Sequence, residues 1–141
     1  MSTDTPGNPE WQGRPSYGYD SDEVGATYSK RNAVVQADFL LPHLKPGMAL
    51  LDCGCGPGSI TLGLAQAVSP GQVAGIDLEP NMIEQAKAAA TENQAGNVEF
   101  LVADIYDLPF NDGQFDVVFS SSVLEHLSDP VSALKSIRRV L

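Results

Sequence analysis

Apolar and polar residues change rhythm several times along this chain, and each change predicts a new element. Through "TYSKRNAVVQADFLLPHL", the residues Val34, Val35, Ala37, Phe39, Leu40 and Leu41 give a helix-like apolar face that runs up to the break at "KPG". "MALLDC" (48–53) is then a short apolar run closed by turn residues, the pattern of a buried strand. "SITLGLAQAV" (59–68) predicts a helix that ends before "SPG", and "QVAGID" (72–77) a second strand. "PNMIEQAKAAATEN" (80–93) opens with proline at a helix start and continues in good helix formers. "VEFLVA" (98–103) and "FDVVFSS" (115–121) predict the third and fourth strands, separated by a loop containing "LPFNDGQ". A last helix in "DPVSALKSIRRVL" has Asp129 as its cap and Val131, Leu134, Ile137 and Leu141 on one face. Strands alternating with helices predict an α/β fold: a Rossmann-like, doubly wound parallel sheet with helices on both faces.

Composition bounds this picture. With 141 residues, 43% of them hydrophobic and 18% charged, the chain suits one globular domain. Residues 1–24 depart from it, because Pro6, Gly7, Pro9, Gly13, Pro15 and Gly18 lie among polar residues and predict a mobile N-terminal arm. Trp11, Tyr17 and Tyr19 could fold from that arm over a ligand, and residues 25–141 form the expected domain. A net charge of −10, with eight Lys and Arg and no dense basic run, disfavours nucleic acid and points to a small-molecule or protein partner. No apolar stretch approaches a membrane span and no signal peptide opens the chain, which predicts a cytoplasmic protein with no membrane partner. The last helix stops at Leu141 with no glycine or following strand, leaving 115–121 as an apolar edge. The expectation is a piece of a longer protein that lacks its C-terminal strands, and self-association of the isolated chain through that edge.

The candidate chemistry lies in "LLDCGCGPGSIT" (50–61), where Gly54, Gly56 and Gly58 follow directly on the first strand. In a doubly wound sheet this turn is at the switch point, and glycine lets the chain turn sharply while bare amides meet a ligand at the start of the next helix. The spacing is G-x-G-x-G, not the G-x-G-x-x-G of a dinucleotide site. Asp77 ends the second strand, where a carboxylate can accept ribose hydroxyls. Asp104 ends the third, where it could accept an adenine amino group beside Ile105. Cys53 and Cys55 are too close in sequence for an unstrained disulfide and too few for structural zinc, so they read as small buried residues with no metal expected. His43 reads as structural.

Taken together, "LLDCGCGPGSIT", "AGIDLEPNMIEQA", "VADIYDLPF" and "FDVVFSSSVLEHL" resemble a class I S-adenosylmethionine-dependent methyltransferase. The likeness is nearest to the bacterial and fungal small-molecule group that includes ubiquinone-biosynthesis and sterol methyltransferases, and it spans about residues 30–141. It implies the first four strands of that fold, S-adenosyl-L-methionine as methyl donor, and in-line transfer to a small-molecule acceptor. By the same resemblance Asp52 braces the glycine loop. Gly54, Cys55, Gly56 and Gly58 approach the cofactor, and Asp77 holds its ribose. Leu78 and Met82 line the adenine pocket, Asp104 and Ile105 meet the adenine edge, and Ser120 faces the methionine end. Tyr28 resembles an aromatic that precedes the domain in many members. Glu125 and His126 follow the fourth strand on the acceptor side, where some relatives hold a metal with Glu-x-x-Glu-His. Ser122 stands here at the first Glu position, leaving His126 as a candidate base. Two rivals remain at this point: a nucleoside-binding module without catalytic activity, and a nicotinamide oxidoreductase on a similar sheet.

Overall fold

The computed structural model describes residues 31–141; the expected arm, with Trp11, Tyr17 and Tyr19, and also Tyr28, lie outside the described residues. Four parallel strands, β1 (Leu50–Cys53), β2 (Val73–Asp77), β3 (Val98–Val102) and β4 (Val117–Ser120), form one sheet in the order β3-β2-β1-β4. β1 and β2 are buried at every position, as central strands covered on both faces must be, and this explains their unbroken apolar runs. β3 and β4 are only partly covered.

The helices divide between the faces by the alternation of side chains along each strand. Leu50, Val73 and Phe119 point toward α1 (Ala33–Gln36) and α2 (Ser59–Val68), packing with Ile60, Leu64 and Val68. Phe100 on the same face packs with Ile83 and Ala86 of α3 (Pro80–Glu92). Leu51, Cys53, Ala74 and Ile76 pack on the opposite face with Ala133 and Val140 of α4 (Pro130–Val140). Since every crossover returns the chain to the same edge, the carboxyl ends of β1, β2, β3 and β4 lie side by side, with Cys53 registered on Ile76 and Ser120, and Asp77 on Val102. The switch point falls between β1 and β4.

Two helices differ from their sequence-based reading. The long apolar face expected before "KPG" is instead the four-residue α1 followed by a 3-10 turn at Leu41–His43. Val34, Val35 and Phe39 are 73%, 65% and 67% exposed, while the small Ala33 and Ala37 are buried. Asn32 caps α1 by accepting from the Val35 amide (3.1 Å), and Ala33 fits against Gly63 of α2 so closely that a Cβ on that glycine would come within 2.6 Å of the alanine methyl. Pro42 sits in the first turn of that 3-10 segment, where its missing N–H costs nothing. In α4 Asp129 caps as expected, accepting from the Ser132 amide (3.1 Å). The buried positions, however, are Ala133 and Val140, with Ile137 packed beside them, while Val131, Leu134 and Leu141 are about half exposed. The rotation is set by tethers at the far end: Phe115 and Gly113 amides donate to the carbonyls of Val140 and Arg139. Arg139 donates back to the carbonyls of Phe110 and Leu108 and to Asp112.

Candidate functional site

The three loop glycines are required for three different reasons. Gly54 (φ +76°) carries the chain off β1, and a Cβ there would fall on Cγ2 of Val123, which fills the space a side chain would take. Gly58 (φ +86°) opens α2 beneath Phe100 and Ala86, whose side-chain atoms would stand 2.9 and 3.0 Å from an added Cβ. A Cβ on Gly56 (φ +55°) would meet nothing within 4 Å among the described residues. Of the three, it alone leaves bare backbone beside open space. All three take the left-handed conformation that side chains disfavour.

Two buried carboxylates hold this loop from within. Asp77 Oδ2 accepts from the Gly56 amide at 2.9 Å and Oδ1 from the Glu79 amide at 3.0 Å, while the amides of Gly54 and Cys55 both reach the Ile76 carbonyl. Asp52 Oδ2 accepts from the Thr61 hydroxyl at 2.7 Å, tying the end of β1 to α2. Burial pushes the Asp52 carboxyl up to about 7, against the pull of the Thr61 hydrogen bond and helped by the charge of Asp77. Asp77 is likewise raised by burial, with the Glu79 and Gly56 amides opposing. Burial first, and then the neighbouring Asp52 charge, raise both Cys53 and Cys55, so their thiols stay protonated and serve as packing.

Two cavities flank the loop. The first is walled by Ile76, Asp77, Leu78, Ile105, Val123 and His126 among others. The second is lined by Arg31, Asp52, Ser59 and Ser121 with the loop from Gly54 to Pro57. Among the described residues Gly54 is the one common to both. Two wider hollows, beside Asn97 and along β3, lie away from the strand carboxyl ends where these residues converge.

Of the sequence-predicted residues, Gly54, Asp77, Leu78, Ile105 and His126 line the first cavity, and Asp52, Cys55 and Gly56, with Gly54 again, line the second. Four stand back from both. Gly58 lies under Phe100, and Met82 is fully buried on the inward face of α3 with Ile83 and Ala86, so it faces core and not cavity. Asp104 turns Oδ1 to the Tyr106 amide (2.9 Å), closing a local turn after β3. Ser120 donates its hydroxyl to the Cys53 carbonyl (3.1 Å), across the β1–β4 pair. Its neighbours reach the cavities instead: Ser121 the second, Ser122 the first. Ser122 has φ +58° and accepts from Arg31 Nη1 at 3.4 Å. A non-glycine residue held in that region beside a cavity is a common mark of a functional turn. Glu79, Arg31, Ser122 and Val123 were not singled out as site residues by sequence reasoning. Glu79, two beyond Asp77 in the same strand-end turn, is the one whose position could have been inferred. His126 Nε2 lies 3.7 Å from Glu125 Oε1.

Comparison with known proteins gives this geometry its setting. A family model described as a methyltransferase domain matches residues 51–141. A demethylmenaquinone methyltransferase from Lactococcus lactis is 43% identical over 128 residues, which cover 84% of this chain and 51% of that protein. An uncharacterized methyltransferase from Schizosaccharomyces pombe is 35% identical over 123 residues, 83% of this chain and 44% of its own length. The solved structure of a SAM-dependent methyltransferase from Aquifex aeolicus superposes with a TM-score of 0.72 at 27% identity, covering 82% of this chain and 66% of that one. The chain spans about half the length of these curated relatives.

Proposed function

The chain belongs to the class I S-adenosylmethionine-dependent methyltransferases, and from that premise we propose that it binds the methyl donor across Gly54 and transfers the methyl group to a small-molecule acceptor. The observation that carries the reading is the pair of cavities meeting at Gly54, beside the open backbone of Gly56. A nucleoside suits the first cavity, where Leu78 and Ile105 offer apolar surface to a base. Each Asp77 oxygen already accepts one amide and keeps a lone pair for a ribose hydroxyl. The amino-acid end suits the second, where Arg31 can meet a carboxylate and Asp52 an ammonium group.

When bound, the donor supplies a methyl carbon activated by sulfonium: the acceptor's lone pair forms the new bond as the carbon–sulfur bond breaks, and its electron pair leaves with sulfur as a neutral thioether. The protein's work is then positioning and exclusion of water. The apolar wall of Ile76, Ile105 and Leu127 serves that purpose. His126, on the same cavity, takes the proton where the acceptor carries one, with Glu125 placed to stabilise the imidazolium. A small-molecule acceptor accords with the name of the Lactococcus relative. The net charge of −10 leaves little to attract a nucleic acid.

Calorimetric titration with S-adenosylhomocysteine tests the binding half of this proposal. Saturable binding is expected for the wild-type chain, with none for NADH and none for Gly56→Val, which forces a branched side chain into a left-handed position. Binding of NADH in preference to S-adenosylhomocysteine would overturn it.

A further inference from the structure

The junction at Gly54 carries more than the passage of a ligand. Val123 presses its Cγ2 onto the place where a residue-54 side chain would stand, with its Cβ and Cγ1 3.5 and 3.6 Å from the same point. It also walls the first cavity, and among the described residues Gly54 is the one both cavities share. Any molecule with a nucleoside in one and an amino-acid group in the other has its linking atom at this crossing. For the donor proposed above, that atom is the sulfonium sulfur, and the group it carries lies in the space Val123 bounds.

Val123 is held firmly enough to act as a boundary. It precedes the 3-10 turn Leu124–His126, whose last amide donates back to the Val123 carbonyl (2.9 Å). On its other side Ser122 sits at φ +58° with its hydroxyl on Arg31, and Ser120 is tied to Cys53 across the sheet. The segment is thus tied to the β1–β4 pair at Ser120 and to Arg31 at Ser122, and closed on itself by the 3-10 turn. Moving Val123 away from the glycine disturbs these bonds.

We propose that Val123 is a specificity-determining residue that limits the size of the alkyl group on the donor sulfur, admitting methyl and excluding longer chains. The inference rests on the methyl-donor reading. Closely packed apolar boundaries discriminate one methylene by about 10–200-fold, which sets the scale of the effect.

The test compares dissociation constants of the 141-residue chain for S-adenosylmethionine and its S-ethyl homologue, with S-adenosylhomocysteine as the size-neutral reference. The wild type should prefer the methyl donor by about tenfold or more. Val123→Ala should cut the preference to about threefold or less and Val123→Ile should widen it, each ratio read after normalising to that protein's own S-adenosylhomocysteine affinity. A preference unchanged across the three proteins, all binding S-adenosylhomocysteine, would overturn the role of Val123 and leave the donor site standing. Failure of the wild type to bind S-adenosylhomocysteine would overturn the donor reading itself.

Discussion

Replacing Asp52 by asparagine should make the protein more stable at pH 8 and change it little at pH 4. Asp52 is 2% exposed at the carboxyl end of β1, and burial, opposed by the Thr61 bond and aided by Asp77, pushes its carboxyl from the ordinary 3.8 up to about 7. In the unfolded chain the group ionises near its ordinary value, whereas in the fold it keeps its proton to about 7. Folding therefore takes up a proton in between, and the stability present below pH 4 is lost as pH rises, levelling off above 7. The gap between 3.8 and about 7, at about 1.4 kcal/mol per pH unit, comes to about 4 kcal/mol. Asparagine keeps an oxygen for the Thr61 hydroxyl and cannot ionise. Urea unfolding followed by circular dichroism at pH 4, 6 and 8 should show the wild type losing stability with pH. The D52N variant should lose less, its remaining slope belonging to Asp77, which burial raises in the same direction. A variant less stable than wild type by the same margin at all three pH values would refute the reasoning, since it would mean that the buried carboxylate costs the fold nothing.

Thr61→Val removes the hydroxyl that Asp52 accepts from, the one side-chain donor to it among the described residues, so it should cost about 1–3 kcal/mol. The cost should be larger at pH 8 than at pH 5, and urea midpoints at the two values check it. Gly54→Ala combines left-handed strain of about 1–2 kcal/mol with displacement of Val123. It should lower stability by at least that amount, and a thermal midpoint equal to wild type would show that the β4 turn yields freely.

How far this architecture can be read from sequence depends on the distance over which each feature is determined. The helix predicted at 59–68 forms over those same residues, and Asp129 caps α4 as expected, because both are set by neighbours within a turn. β1 and β2 were visible because strands buried on both faces are apolar throughout. The buried face of α4 was misread because Val131 and Leu134 are larger than Ala133, and size outweighed position in the pattern. In the structure the tethers at Arg139 and Val140 choose the smaller residue for the sheet. Asp104 and Ser120 lie near the right ends of the right strands. Which way each side chain turns was decided by a Tyr106 amide and a Cys53 carbonyl that no periodicity reveals. Val123 against Gly54 was least accessible of all, being a meeting of distant residues arranged by the β1–β4 register.

Phe100 touches two glycines at once. Its ring atoms would stand 2.6 and 2.7 Å from a Cβ on Gly75 and 2.9 Å from one on Gly58. Gly58 has a second reason to be glycine in its φ of +86°, whereas Gly75 has an ordinary strand backbone and is small because the ring needs its place. The two positions are therefore on different evolutionary leashes. A lineage that exchanges Phe100 for a smaller residue loses the tightest obstacle to alanine at 75, leaving the Cys55 Cβ at 3.2 Å to give way, while remaining bound to glycine at 58. Positions 75 and 100 should drift as a pair, and the glycine loop should stay fixed while they do.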